Sequence, residues 1–174
     1  KMLKNNEIQA LISAIGAGVG ALGGYVWSQR MEAQRQAMAQ AAAGTGVDVT
    51  RTADNQLKLE IPSDISFDTG KAAIKPQMRP ILDRFAQTLK DNPATNVRII
   101  GHTDSKGSDA INNPLSLERA ASARDYLTDR GVAQGRIEIA GRGSREPVAD
   151  NGSEAGRARN RRIEVFVAEA AAAR

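Results

Sequence analysis

Cysteine is absent from the 174 residues, which excludes a disulfide scaffold, thiolate zinc sites and cysteine nucleophiles together. Histidine occurs once, so multi-histidine metal centres are excluded as well, and neither a metal nor a cofactor is expected. Aromatic residues make up 3%, too few for base-stacking platforms or a sugar-binding groove. Charge of one sign is also scarce: 24 basic residues face 20 acidic ones. The net charge of +4 falls well short of a nucleic-acid tail. Against these absences stand 41% hydrophobic and 25% charged residues, enough for one packed domain with an appendage. The unusual presence is glycine, with 16 in all.

Five of those glycines lie within Gly16–Gly24, inside a run from Ile8 to Gln29 that carries no charge. As a helix this run would extend about 33 Å at 1.5 Å per residue, close to the roughly 30 Å of a bilayer core. Gly16, Gly20 and Gly24 recur every four residues, so one helix face would be lined with small residues that let a second backbone approach. Tyr25 and Trp27 stand where an interfacial aromatic belt would lie. A signal peptide would also begin with Lys1 and Lys4, but Glu7 is unusual there and the apolar stretch is long. A soluble buried helix is disfavoured by about 1 kcal/mol for each glycine. Gly18–Gly23 matches GxGxxG, yet no strand precedes it and no βαβ unit surrounds it, so dinucleotide binding is rejected. A membrane-associated or self-associating glycine-zipper helix over residues 1–29 is the expectation, with homo-oligomerisation through the Gly16, Gly20, Gly24 face. Residues 30–46, rich in Ala and Gln, read as a helical linker standing in water and ended by Gly44-Thr45-Gly46.

From Val47 the pattern changes. Leu57, Leu59 and Ile61 alternate with polar residues as a strand. Ile74 to Leu89 carries apolar residues at helical spacing, predicting an amphipathic helix over Pro76–Lys90. Val97–Ile100 reads as a strand, and Leu115–Arg130 as a helix with Leu117, Ala120, Ala121 and Leu127 inward. Ile137 and Ile139, then Ile163, Val165 and Val167, mark two more strands. The expected fold is α+β: a βαβαββ two-layer sandwich over residues 47–174, preceded by the glycine-zipper helix.

The chemistry concentrates in Ile99–Leu127, which runs from a strand end into a helix. Asp104 and Arg119 would form a two-pole receptor across a cleft. The carboxylate takes an ammonium and the guanidinium fork takes a carboxylate, so a free amino-acid centre fits. Asn112 adds hydrogen bonds from the loop between them. From spacing alone an ordinary Asp104–Arg119 ion pair is the simpler reading. His102 beside Asp104 and Ser105 suggests a catalytic group only superficially, because adjacent loop residues cannot assemble a triad; it reads as a structural loop histidine, and no enzyme is expected. Arg157, Arg159, Arg161 and Arg162 form a basic cluster, better explained by pocket lining or capping than by nucleic acid.

The segments GHTDSKGSDAINNPLSLERA, GRGSREPVADNGSEAGRARNRRIEVFV and IPSDISFDTGKAAIKP resemble, in order, the signature, closing and opening segments of the OmpA-like peptidoglycan-binding domain. The resemblance covers about Leu57–Val167. It implies non-covalent binding of the diaminopimelate of the peptidoglycan stem peptide, with Asp104 and Arg119 as the binding pair and Asn112 as the asparagine of the family's YN pair. Thr103, Asp68, Thr69 and Arg161 fall at further positions that the family uses around its pocket. Ile111 stands where an aromatic is usual, a departure expected to loosen the pocket.

The glycine-rich start followed by an Ala/Gln helix is similar to YiaD-type outer-membrane lipoproteins, although the lipidated cysteine of that type is missing. The resemblances imply a periplasmic tether associated with the outer membrane, with the inner membrane as the alternative location. A ring, pore or stator-like envelope subunit is the rival function. A stator needs an intramembrane acid, and Ile8–Gln29 has none.

Overall fold

A computed structural model describes residues 24–171. One mixed sheet organises them. Its strands are β1 (Tyr25–Val26), β2 (Asp48–Arg51), β3 (Leu57–Pro62), β4 (Thr95–His102), β5 (Ile137–Gly141) and β6 (Arg162–Ala170). The order across the sheet is β2-β3-β6-β4-β5, with β1 also paired to β6. β4 and β5 run parallel, and every other pair is antiparallel. The helices are α1 (Gln29–Ala42), α2 (Ser63–Ser66), α3 (Arg79–Asp91), α4 (Asp109–Asp129) and α5 (Glu154–Asn160). The expected two-layer α+β sandwich is present, with the predicted succession realised as β3, α3, β4, α4, β5, β6.

Alternation decides which sheet face is covered. Leu57, Leu59 and Ile61, Val97 and Ile99, and Ile163, Val165 and Val167 point to one side and are buried, as the period of two requires. There they meet Ile81, Leu82, Phe85 and Leu89 of α3 and Ala120, Ala123 and Leu127 of α4 in one apolar cluster. The opposite face carries Lys58, Arg98, His102, Arg162 and Glu164, tied by contacts such as the His102–Glu164 hydrogen bond and the Arg98–Glu138 ion pair.

Three expectations change. The helix foreseen through Gln29 does not run over its last residues. Gly24 has φ +80°, and Tyr25 and Val26 pair with Ala170 and Glu169 at the end of β6. Tyr25 and Trp27 are therefore sheet-edge residues: the Arg51 guanidinium lies 4.7 Å from the Trp27 ring centre. Gly24 leaves the proposed small-residue face, while Gly16 and Gly20 lie outside the described residues. Among the described residues no helix is long and apolar enough to cross a membrane.

Second, the stretch read as a linker in water is helical but docked. Ser28 caps it, its Oγ accepting from the Met31 amide at 3.2 Å and donating to Glu169 at 2.9 Å. Met31, Gln34, Met38 and Ala42 form its inner stripe, facing α3 and β2. Met31 and Met38 are 0% exposed, each burial being worth about 1.5–3 kcal/mol.

Third, α4 begins at Asp109 rather than Leu115, carrying Pro114 within it. Leu117, expected to face inward, is 40% exposed. The cause is the close approach of α4 to the sheet. A Cβ on Gly101 would overlap the Ser116 carbonyl oxygen, and one on Gly141 would overlap Leu117 and Ser116. With Ser116 seated on the two glycines, Leu117 is turned off the sheet.

Candidate functional site

β4 ends at His102, and the chain turns into Thr103 and Asp104 beside the end of β5. Thr103 donates its amide to the Gly143 carbonyl at 2.9 Å, and its hydroxyl bonds the Asp104 carbonyl at 2.9 Å. Gly143 in turn donates to Ser116 Oγ at 2.9 Å, so the loops after β4 and β5 are locked onto α4. Asn112 is buried and donates to the Lys106 carbonyl at 2.8 Å, closing the turn that leads into α4. Thr103 and Asn112 thus shape the loop; their side chains satisfy the backbone rather than an open cleft.

Asp104 and Arg119 are both nearly buried, 8% and 5% exposed, but they are not each other's partners. Asp104 accepts the Lys106 amide at 2.9 Å on one oxygen and Arg161 Nη1 at 2.7 Å on the other. Arg119 donates Nε to the Lys71 carbonyl at 2.9 Å and Nη2 to the Asp68 carbonyl at 3.2 Å. Its guanidinium lies 5.0 Å from the Phe67 ring centre. The simple Asp104–Arg119 ion pair, open from spacing alone, is therefore absent. The two groups stand as separate poles, each fixed by other atoms. Burial pushes the Arg119 guanidinium below its usual range, against the charges of Asp64 and Asp104.

Asp68 and Thr69 contribute differently from the expectation. Both are exposed, and Asp68 acts through its backbone carbonyl while its side chain lies 3.9 Å from Lys75. Ile111, at the position expected to loosen pocket packing, is 64% exposed and packs on little.

Arg161 is the hub. Its guanidinium reaches both Asp64 oxygens at 2.9 Å, Glu154 at 2.8 Å and Asp104 at 2.7 Å. The Asp64 hydrogen bonds, then those of Glu154 and Asp104, hold Arg161 firmly protonated. Arg161 reciprocally lowers the Asp64 carboxyl below the usual range. Asp64 and Glu154 were not foreseen, and neither was Asn160. Asn160 is fully buried, and its Oδ1 takes the amides of Val148 and Ala149 at 2.7 and 2.9 Å. Its Nδ2 reaches the Ala149 carbonyl and Asn151 Oδ1 at 3.0 and 2.8 Å. The loop before α5 is thereby fixed beside Arg161. Ser153, which accepts from the Gly156 amide at 3.0 Å, was a legible cap for α5 and so for Glu154.

The other arginines of the basic cluster are mostly spent. Arg157 bonds Glu154 and the Asn151 carbonyl, and Arg162 is buried against Glu164 at 3.0 Å. His102 is the last residue of β4, not a loop residue, and its Nε2 is 3.1 Å from Glu164. Among the described residues no group of three or more acidic or histidine side chains is placed to hold a metal. What the site offers is a nearly buried carboxylate and guanidinium that feel each other's charge without pairing, an arrangement that suits a zwitterion.

Comparison with known proteins locates this arrangement. The OmpA family model matches residues 66–161, which span both poles and Arg161. The probable lipoprotein YiaD of Escherichia coli is 41% identical over 151 residues, covering 87% of this chain and 65% of its own length. The peptidoglycan-binding protein ArfA of Mycobacterium tuberculosis is 46% identical over 103 residues, 59% of this chain and 32% of ArfA. The chain thus spans two thirds or less of these relatives. Among solved structures, the cell wall anchor of the T6SS from Pseudomonas aeruginosa superposes with a TM-score of 0.70 at 31% identity, covering 78% of this chain and 96% of that one.

Proposed function

Because this chain belongs to the OmpA family, whose model covers more than half of it, we propose that it is a non-catalytic cell-envelope protein that grips peptidoglycan. The observation that carries the reading is the separation of Asp104 from Arg119. Each is nearly buried and held by a third party, Arg161 in one case and the carbonyls of Asp68 and Lys71 in the other. A structural ion pair would have closed on itself; two fixed poles leave a carboxylate and a guanidinium for a ligand with an ammonium and a carboxylate on one carbon. The side-chain end of diaminopimelate in a stem peptide is such a centre. Similarity to a protein named as peptidoglycan-binding and to one named as a cell wall anchor supports peptidoglycan as the ligand.

The chain's likeness to an outer membrane porin of Pseudomonas fluorescens, 44% identical over 109 residues, supports a place in the periplasm against the outer membrane. Residues 1–23, with their uncharged run, are the segment proposed to associate with membrane or, through Gly16 and Gly20, with further copies. Mass photometry of the detergent-solubilised chain against Gly20→Leu tests the second idea, and identical monomer masses sink it.

For the ligand, isothermal titration of the full chain with a diaminopimelate-containing muropeptide is decisive. Binding is expected, with Asp104→Ala and Arg119→Ala each weakening it at least tenfold, since breaking one buried charge contact costs about 2–5 kcal/mol. No binding, or binding unchanged in the double variant, overturns the proposal.

A further inference from the structure

On the far side of the loop that holds Arg119 lies a second cleft, between the start of α3 and the outer flank of α4. Its volume is about 440 Å³, within the range of small-ligand sites. The loop is shared: Lys71 gives its carbonyl to Arg119, and Ile74, three residues on, lines the cleft. α4 is shared as well. Arg119, Ser122, Tyr126 and Asp129 recur at spacings of three and four, so they climb one flank of the helix.

The walls of this cleft are polar and of opposite charge. Arg79 lies on the α3 side, its charge also acting on Asp83, and Asp129 on the α4 side; neither side chain makes a hydrogen bond or a close ion pair among the described residues. Between them Tyr126 is held rigidly. Its hydroxyl donates to Asp83 at 2.7 Å and accepts from Arg130 at 2.9 Å, while Arg130 also bonds Asp83 at 3.0 Å. The Arg130 guanidinium covers the Tyr126 ring at 4.0 Å. A cation and an anion with no hydrogen-bond partner and a fixed aromatic wall repeat the chemistry of the Asp104–Arg119 site in more open form.

We infer that this cleft is an accessory subsite for a second peptide arm of the wall, the neighbour cross-linked to the stem peptide held at Asp104 and Arg119. The inference rests on the peptidoglycan-binding reading and deepens it. Along α4, Arg119 to Asp129 is about 15 Å at 1.5 Å per residue, a span of roughly five residues of extended peptide. A cross-linked pair of short stem peptides covers that distance. The opposed Arg79 and Asp129 charges suit the carboxylate and ammonium ends of a peptide; a neutral sugar pair has no use for them.

The experiment compares a monomeric muropeptide with its cross-linked dimer on the full chain, for wild type and for the double variant Arg79→Ala, Asp129→Ala. Both residues are exposed and outside the first site, so the variant keeps the fold and the monomer affinity. Wild type is expected to bind the dimer at least tenfold more tightly than the monomer, beyond the twofold statistical advantage of two arms. The double variant is expected to lose that preference. Equal affinities in wild type, a preference that survives in the variant, or its removal by the peptide-free disaccharide as competitor each overturn the subsite while leaving the first site intact. Absence of monomer binding overturns the underlying reading, and the subsite with it.

Discussion

Replacing Gly101 by Ala adds a single methyl group, yet it should disturb both stability and ligand binding. The new Cβ falls on the Ser116 carbonyl oxygen and crowds the Ser116 carbonyl carbon at 2.8 Å, well inside the roughly 3.5 Å at which two carbons touch. These are backbone atoms of α4, so no rotamer change relieves the overlap; the helix must move off the sheet. Overpacking of this kind costs about 1–3 kcal/mol where side chains can give way, and a backbone clash belongs at or above the top of that range. Urea unfolding reads it out: with a slope of about 1–3 kcal/mol per molar, the midpoint should fall by about 1 M or more. Gly135→Ala is the control, because nothing lies within 4 Å of its added Cβ, and it should be neutral or stabilising by up to about 1 kcal/mol. Since α4 carries Arg119 while β4 leads to Asp104, Gly101→Ala should also weaken muropeptide binding under conditions where it stays folded. A midpoint within 0.2 M of wild type would refute the argument that α4 is seated by these glycines.

Glu164 supplies a pH dependence. Burial raises its carboxyl, but the His102 hydrogen bond and the charges of His102, Arg162 and Lys58 outweigh burial and bring it down to about 2. Its folded value lies below the unfolded one, so its contribution is full above about pH 4.5 and is lost as pH falls towards 2, by roughly 3 kcal/mol. Glu164→Gln should therefore flatten the acid limb of stability measured between pH 5 and 2; an unchanged slope counts against the assignment. Asn160→Ala should lower stability by about 2–4 kcal/mol, because the Val148 and Ala149 amides lose their acceptor, and hydrogen exchange should speed at those two residues. Met31→Asp with Met38→Asp should release α1, turning Arg30 and Arg35 into rapid trypsin sites; equal cleavage rates in wild type would mean that the helix stands free.

Legibility followed the range of the interaction. β3, β6 and α3 were plain because each carries its own period: Leu57-Leu59-Ile61 alternates, and Ile81, Leu82, Phe85 and Leu89 repeat by helical turns. The early start of α4 was hidden by Pro114, which lacks the amide for an interior helix bond and argues for a boundary there. The turn closed by the Asn112 side chain donating to the Lys106 carbonyl, and by the Asn112 amide donating to the Ser108 carbonyl, sets the real start. β1 and β2 are two and four residues long, too short to show a period. Docking of α1 was illegible because its inner stripe is Met, Gln, Met and Ala, which composition reads as merely helix-favouring. At the site, Asp104 and Arg119 share one local motif, whereas Arg161 meets Asp64 across 97 residues and Asp104 across 57. Such contacts leave no trace in spacing. The family resemblance and the basic cluster of residues 157–162 put Arg161 near the pocket, but nothing in the sequence assigned it Asp64 and Glu154.

The topology also settles how a tether of this design would carry load. β6 begins at Arg162, opposite His102, the end of β4 two residues before Asp104, and ends at Ala170, opposite Tyr25. Eight steps of about 3.3 Å put the first and last of its nine residues about 26 Å apart. The chain from residues 1–23 therefore joins the sheet at the end remote from Asp104 and Arg119. If the first segment holds the membrane and the site holds the wall, a pull between them runs along the strands, through the centre of the sheet. β6 is the strand that receives it, and it is paired to β1, β3 and β4 at once. At the remote end the chain is secured by the β1–β6 pairing, the Ala171 amide on the Gly24 carbonyl at 3.1 Å, the Asn55 side-chain amide on the Tyr25 carbonyl at 3.3 Å, Ser28 on Glu169, and the buried methionines of α1. The hydrogen bonds are worth about 1 kcal/mol each and each buried methionine about 1.5–3 kcal/mol, so α1 provides a large share of the hold. Under tension the Met31→Asp, Met38→Asp variant should therefore yield first at residues 24–46 and leave the site's ligand in place. A force experiment in which the wall contact releases before α1, in wild type and variant alike, would show that the load does not pass through that helix.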